Sequence, residues 1–366
     1  MSASTKELDS SRLAYRRELD GLRGVAILLV LVYHSRCPWL PGGFVGVDLF
    51  FVLSGFLITA LLLKEWRATG GISLQRFYIR RALRLMPALV FLVACYLAVW
   101  GSSPKNRVFH LSESLIVLTY VSNWTSALGM GRPVLLGHTW SLSIEEQFYL
   151  LWPPVLIALL RRFRPSRIFS ILALVAATVM IARPILVLLG TAPARIYCGL
   201  DTRADALLTG CLLGCAAGTT FLQARRTSIL ELFWASMAWG SLAAIAASLS
   251  WNSPAMMNWG FSAATVLAGV ILLHCLRQPN SPISHLLRTS VLVRTGQVSY
   301  AIYLWHYPIM FVLGINDNRP WWVRLIFGGA LTIMMATISH HLIEAPFLRL
   351  KEKWTRPQTS LAATPA

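Results

Sequence analysis

Long apolar runs, separated by short polar and basic stretches, dominate the chain. A membrane-spanning helix needs roughly 20 mostly apolar residues, and ten stretches come close to that length. They cover residues 19–36, 44–63, 85–101, 144–160, 168–189, 205–221, 229–249, 257–275, 297–314 and 321–343. A further run, 108–122, is interrupted by polar residues, and we interpret it as a re-entrant or interfacial piece of the loop 102–143. The pattern predicts an all-α integral membrane protein with about ten transmembrane helices.

Lysine and arginine are distributed unevenly between the two sides of these predicted helices. If the N-terminus is cytoplasmic, 24 of the 33 basic residues fall in cytoplasmic segments, and cytoplasmic loops of membrane proteins carry such an excess. We therefore predict that both termini are cytoplasmic. Residues 1–18 would form an N-terminal segment, 19–343 the transmembrane domain and 344–366 the tail, with no soluble domain.

The composition supports a membrane protein and argues against some other classes. The chain is 56% hydrophobic and only 13% charged, about half the charged fraction of an average soluble domain. The net charge of +18 could suggest nucleic-acid binding, but the basic residues form short clusters between apolar runs, so we expect no nucleic-acid partner. The six cysteines lack metal-ligand spacing. Cys37 and Cys198 are both predicted to lie on the outer side of the membrane, so a disulfide between them stays an alternative.

Ionisable residues within apolar helices are costly and usually mark a functional site. In the predicted topology they form two layers. The inner layer contains Arg23, Arg81 and Arg84. The outer layer contains His34, Asp48, Glu145, Glu146, Arg203 and Asp205, with His306 at mid to outer depth.

The first predicted helix carries one residue of each layer. Arg23 and His34 are eleven residues apart, about three turns, so they share a face at a separation of roughly 16 Å. That distance is comparable with the reach of a phosphopantetheine arm. A guanidinium suits phosphate, and a neutral histidine can accept a proton from a hydroxyl if a carboxylate orients it. Asp48 follows His34 across a short turn and is the candidate for that carboxylate.

Seven sequence motifs, in this order, resemble the membrane-bound acyltransferase family 3. They are the Arg-x10-His of the first helix, GGFVGVDLFFVLSGFLI, FYIRRALRLMP, WSLSIEEQFYLLWP, TRADALLTG, SYAIYLWHYP and the terminal IEAPF. The resemblance extends from ELDGLRGVAILLVLVYH to LIEAPFLRL, nearly the whole chain. Each motif alone is weak, but the ordered set is specific.

The resemblance implies a membrane O-acyltransferase of the bacterial inner membrane. Such an enzyme takes an acyl group, commonly acetyl, from cytoplasmic acyl-CoA and delivers it to a hydroxyl of an extracytoplasmic glycan or glycoconjugate. His34 matches the proposed catalytic histidine, and Glu145 matches the glutamate of the WSLxxE motif. Arg23, Arg81 and Arg84 match positions linked to acyl-CoA. The expected partners are acyl-CoA, a carbohydrate acceptor and membrane lipids, with no permanently bound cofactor.

The sequence alone leaves several alternatives open. Arg81 and Arg84 could be a positive-inside anchor, and Glu145 and Glu146 could complement a helix N-terminus. Arg203 and Asp205 could pair structurally, and His306 could be a packing residue. An acyl-histidine intermediate competes with direct transfer. A transporter or flippase of a lipid-linked glycan or small metabolite is the alternative function.

We expect no metal site. His340 and His341 are adjacent residues that point to different faces of a helix, and the sequence interpretation gives them no acidic partner.

Overall fold

The computed structural model describes residues 15–355, apart from 103, 105, 132, 218, 220–221, 223–227 and 315–319, and it describes no side chains for 351–355. The helices are α1 Arg17–His34, α2 Gly46–Thr69, α3 Leu74–Trp100, α4 Arg107–Leu118, α5 Ser122–Ala127, α6 Trp140–Arg162, α7 Pro165–Leu188, α8 Pro193–Cys198, α9 Leu200–Ala216, α10 Ile229–Ser248, α11 Phe261–Arg277, α12 Pro282–Leu287, α13 Ser290–Gln297, α14 Ser299–Gly314, α15 Trp321–Val323, α16 Gly329–Ser339 and α17 Ala345–Thr355. No strand occurs in these described parts of the chain.

Short segments of other helix types adjoin several of these helices. Two 3₁₀ turns, Gly43–Val45 and Gly137–Thr139, lead into α2 and α6. Three π-helical segments, Met256–Gly260, Arg324–Gly328 and His340–Glu344, lead into α11, α16 and α17.

Six helical segments are long and apolar enough to cross a membrane, which confirms the predicted all-helical membrane class. They are Gly43–Thr69, Leu74–Trp100, Pro165–Leu188, Ile229–Ser248, Met256–Arg277 and Trp321–Leu350, and each coincides with a predicted span. The other four predicted spans are the helices α1, α6, α9 and α14. Each of these four helices is shorter or more polar than the six membrane-spanning candidates. Between them the four helices carry His34, Glu145, Arg203 and His306.

The central helix of the bundle is α2. Of its most apolar stretch, 83% is buried, against 17% for α7 and 22% for α10, so α7 and α10 present most of their surface outward. Glycines let α9 approach α2 closely. A Cβ on Gly55 would lie 1.9 Å from the Leu207 carbonyl oxygen, and one on Gly210 would lie 2.1 Å from that of Val52. Such small-residue contacts are typical of helix packing in membranes.

The loop between α3 and α6 is fastened by one buried carboxylate. Glu113 of α4 accepts a hydrogen bond from the Tyr96 hydroxyl of α3 and another from the Val134 backbone N–H at 2.6 Å. His110 Nδ1 lies 2.6 Å from the same Tyr96 hydroxyl. The interrupted run 108–122 therefore forms α4, at twelve residues too short to span a membrane, and the start of α5.

Two details of the sequence interpretation change. None of the six cysteines, all of which the structure describes, is in a disulfide, so Cys37 and Cys198 are not bridged. The assumption that His340 has no acidic partner is wrong, because helical spacing places its Nδ1 3.3 Å from Glu344 Oε2, four residues later. The predicted terminal segments lie largely outside the described residues, as do the basic residues Arg225 and Arg226.

Candidate active site

Two cavities share a wall formed by Val47 and Tyr303. The larger, about 820 Å³, we call the histidine cavity, and its lining includes His34, His138, Trp140, Tyr197 and Tyr307. The smaller, about 180 Å³, we call the arginine cavity, and its lining includes Arg23, Arg81, Arg84, Glu145 and Glu146. Val47 and Tyr303 line both cavities. Arg23 and His34 thus line two neighbouring cavities, which we call the two candidate half-sites.

The hydrogen bonds of His34 determine which ring nitrogen carries the proton. Its Nδ1 lies 2.9 Å from the carbonyl oxygen of Val30, one turn earlier in α1. Because a carbonyl oxygen only accepts, Nδ1 carries the proton in the neutral ring. The other nitrogen, Nε2, then has a lone pair and can accept a proton. His34 therefore has the tautomer that a general base requires.

A second histidine orients the first. His306 Nδ1 lies 2.7 Å from the Tyr303 carbonyl oxygen, so by the same argument Nδ1 holds the proton and Nε2 is an acceptor. That Nε2 lies 3.2 Å from His34 Nδ1, and the two rings meet edge to face with centroids 4.8 Å apart. His34 thus donates from Nδ1 to both Val30 and His306. His306 occupies the place that the sequence interpretation gave to a carboxylate.

Asp48, the predicted carboxylate, belongs to a different group of charges. Its Oδ1 accepts a hydrogen bond from Arg203 Nη2 at 2.7 Å. Arg183 Nη2 pairs with Asp205 Oδ2 at 2.8 Å, and the Arg203 guanidinium carbon lies 4.0 Å from the centre of the Phe261 ring. We call Asp48, Arg183, Arg203 and Asp205 the ion-pair network. Each of its members is at most 1% exposed. Arg203 thus pairs with Asp48, and its neighbour in the sequence, Asp205, pairs with Arg183.

The arginine cavity holds charged groups whose hydrogen bonds go to hydroxyls. Arg23 donates to Ser299 Oγ from Nε at 3.3 Å and from Nη2 at 3.2 Å. Glu145 accepts a hydrogen bond from the Ser54 hydroxyl and lies within electrostatic range of Arg23, Arg81 and Arg84. The Arg81 guanidinium lies over the Tyr149 ring, 5.2 Å from its centre.

Glu145 and Glu146 thus line the arginine cavity, although the sequence interpretation placed them with the outer residues. Helix α6 begins at Trp140, so both glutamates lie beyond its first turn. An acidic residue stabilises the helix N-terminus only from within the first turn, so this alternative role does not apply to them.

His138 is a site residue that the sequence interpretation missed. It lies in the 3₁₀ turn before α6, is 3% exposed, and stacks on the Tyr307 ring with centroids 5.1 Å apart. Burial, and next the nearby charge of His34, lower the pKa of His138 to about 3, so the ring is neutral at physiological pH. The only sequence signal was its position two residues before the WSLSIEE motif.

Helix α14 connects the two half-sites along one face. Ser299 binds Arg23, Tyr303 lies in the shared wall, and His306 binds His34. The spacings of four and three residues keep all three side chains on that face. The same stretch, SYAIYLWHYP, is one of the seven motifs.

Comparisons with known proteins place this site in a family context. A family model described as "Acyltransferase domain", for the acyltransferase 3 family, matches residues 16–341. The peptidoglycan O-acetyltransferase OatA of Listeria monocytogenes is 34% identical over 348 residues, covering 91% of this chain and 56% of the relative. The O-acetyltransferase OatA of Staphylococcus aureus (strain NCTC 8325 / PS 47) is 34% identical over 349 residues, covering 91% and 57%. The chain thus spans little more than half the length of these relatives. No solved structure matches it.

Proposed function

The chain belongs to the acyltransferase 3 family, and from this premise we propose that it is a membrane O-acetyltransferase that moves an acetyl group from acetyl-CoA to a hydroxyl of a cell-envelope glycan. The observation that carries the proposal is the tautomer of His34, whose proton-accepting Nε2 belongs to a ring that lines the histidine cavity. The relatives named as O-acetyltransferases support the acetyl group, and the peptidoglycan named for one of them makes a cell-wall glycan our first choice of acceptor.

In the proposed reaction His34 is the general base. Nε2 takes the proton of the acceptor hydroxyl while its oxygen attacks the thioester carbonyl carbon. The tetrahedral intermediate then collapses, the carbon–sulfur bond breaks, and the departing CoA sulfur receives the proton from His34. His306 keeps the His34 ring in place by accepting its Nδ1 proton.

The arginine cavity is the proposed site of acyl-CoA. Three guanidiniums, of Arg23, Arg81 and Arg84, line it, and arginine binds phosphate with paired, charge-assisted hydrogen bonds. Glu145 and Glu146 would position these arginines. We assign Asp48, Arg203 and Asp205 a positioning role through the ion-pair network, which fixes α2 against α9.

The proposed topology places the arginine cavity towards the cytoplasm and the histidine cavity towards the outside. The six membrane-spanning candidates together with α1, α6, α9 and α14 would make ten spans, with both termini in the cytoplasm of a bacterial cell. Acyl-CoA would then enter from the side where it is made, and the glycan from the opposite side.

The test is CoA release from acetyl-CoA by the purified protein in nanodiscs, with peptidoglycan fragments and other envelope glycans as acceptors. General acid–base catalysis contributes about 10²–10⁴-fold, so His34→Ala should lose acceptor-dependent release by that factor. His285→Ala, which removes an exposed histidine outside both cavities, is the matched control and should keep full activity.

Both variants should unfold at the wild-type temperature. Near wild-type turnover by His34→Ala would contradict the mechanism. If acetyl-CoA neither reacts nor raises the unfolding temperature of the wild type, the transporter alternative replaces the proposal.

A further inference from the structure

The histidine cavity and the arginine cavity have two lining residues in common. Val47 of α2 and Tyr303 of α14 are the residues common to both linings. Ser141 lines the arginine cavity next to this wall, and His138 lines the histidine cavity on the other side. An acyl group held in the arginine cavity must therefore pass Tyr303 to reach His34.

Hydrogen bonds hold the Tyr303 side chain in the wall. Its hydroxyl lies 2.5 Å from Ser141 Oγ and donates to the His138 carbonyl oxygen at 3.0 Å. The residue is 7% exposed, and its ring lies near two others, that of Phe50, with centroids 6.5 Å apart, and that of His306, at 5.2 Å. A ring fixed at both its edge and its hydroxyl cannot swing aside without breaking these contacts.

The same residue is coupled to the base. The Tyr303 backbone carbonyl accepts from His306, which in turn accepts from His34. A large displacement of Tyr303 by a bulky acyl chain would therefore disturb the ring that orients His34. The acyl group therefore has to pass while the tyrosine ring stays close to its place in the wall.

We propose that Tyr303, together with Val47, restricts the donor to acetyl or a similarly short acyl chain. This inference rests on the proposed function and adds to it the chemical class of the donor. A short chain passes between the two side chains, whereas each added methylene needs volume that the tyrosine ring occupies. Tyr303 is thus a specificity-determining residue, distinct from the residues that bind CoA phosphates and from the base.

The experiment compares kcat/KM for acetyl-, butyryl- and hexanoyl-CoA in nanodiscs, with one saturating acceptor. One methylene changes kcat/KM by about 10–200-fold in a shaped pocket, so the wild type should prefer acetyl-CoA over butyryl-CoA strongly. Tyr303→Ala should raise the ratio of butyryl to acetyl by about 10-fold or more. Val47→Ala should shift it in the same direction by a smaller factor.

Tyr303→Phe is the matched control because it keeps the ring and removes only the hydroxyl. It should retain the wild-type ratio even if its overall rate falls through the lost hydrogen bonds. An unchanged ratio in an active Tyr303→Ala enzyme would overturn the proposal while leaving acetyl transfer intact. If Tyr303→Ala is inactive or unfolded, Val47→Ala decides: a raised ratio supports the role of the wall, and the wild-type ratio overturns it. A wild type that reacts with none of the three donors overturns the proposed function itself.

Discussion

Two groups of charged side chains lie inside the same helical bundle and are arranged in opposite ways. In the ion-pair network, two arginines and two aspartates pair with each other at 2.7 and 2.8 Å and are at most 1% exposed. In the arginine cavity, the charged side chains are half-buried. Among the residues that the structure describes, none of its three arginines or two glutamates has an opposite charge within 4.0 Å.

Under the proposed function, the ion-pair network is a structural use of buried charge and the arginine cavity is a ligand-binding one. In a buried ion pair, the attraction between the two ions offsets the cost of their desolvation. Removing one partner leaves the other as an uncompensated buried charge. Charges that hydrogen-bond to serine hydroxyls while lining a cavity remain available to a charged ligand. In this bundle, an ionisable residue is therefore a candidate for ligand binding where its partner is neutral and a cavity adjoins it.

The largest expected effect concerns the ion-pair network. Arg203→Leu leaves Asp48 buried without its partner, which should lower the free energy of unfolding by about 3–5 kcal/mol. The double variant Asp48→Leu/Arg203→Leu removes both charges and should recover much of that loss. Unfolding in detergent, followed by circular dichroism, measures both.

Arg84→Leu is the control from the other group and should leave unfolding close to wild type. The distinction between the groups fails if Arg84→Leu destabilises as strongly as Arg203→Leu, or if the double variant is no more stable than the single one.

An intermediate effect is expected for acyl-CoA binding. Arg23→Gln removes a charged donor from the arginine cavity, and a hydrogen bond to a charged group contributes about 1.5–3 kcal/mol. The KM for acetyl-CoA should therefore rise by roughly 10–100-fold, with an unchanged unfolding temperature. Steady-state CoA release gives the KM.

Arg294→Gln, at an exposed position of α13, should leave this KM unchanged. An equal rise in both variants would mean that net positive charge, rather than the arginine cavity, attracts acyl-CoA.

The smallest expected effect concerns a charged residue that belongs neither to the ion-pair network nor to the arginine cavity. Arg36 is exposed, follows α1 and has a φ of 63°, a conformation that favours glycine. Arg36→Gly should raise the free energy of unfolding by about 0.5–1 kcal/mol by relieving this strain. Thermal unfolding under the same detergent conditions tests it. A lower unfolding temperature would show that the Arg36 side chain stabilises the fold.

The sequence predicted local features well and long-range partners poorly. Apolar runs located the six spanning segments, and helical periodicity placed Arg23 and His34 on one face of α1. His306 is 272 residues from His34, and Arg203 is 155 residues from Asp48. Periodicity within one helix does not say which helices are neighbours. Proximity in sequence therefore favoured Asp48 as the partner of His34, whereas the packing of α14 against α1 supplies His306.

The shape of the two cavities was equally beyond the reach of the sequence. Tyr303 reads locally as one more aromatic residue in an apolar helix. Its position between the cavities depends on α2, α6 and the 3₁₀ turn at His138 meeting α14. His138 was missed because its burial depends on the loop between α3 and α6, whose polar interruptions gave no clear pattern.

The hydrogen bonds of Glu113, which hold the loop between α3 and α6, have a consequence for how such enzymes diversify. Glu113 and Tyr96 fix one end of the loop, and His138 fixes the other, while Gly129 and Gly131 between them line the histidine cavity. Tyr120 of the same loop lines the arginine cavity, but Gly129 and Gly131 do not. Changes at these two glycines therefore leave the lining of the arginine cavity and the His34–His306 pair in place. In the proposed mechanism, selection can therefore alter the preferred acceptor at this part of the loop while the arginine cavity, the proposed donor site, is inherited intact.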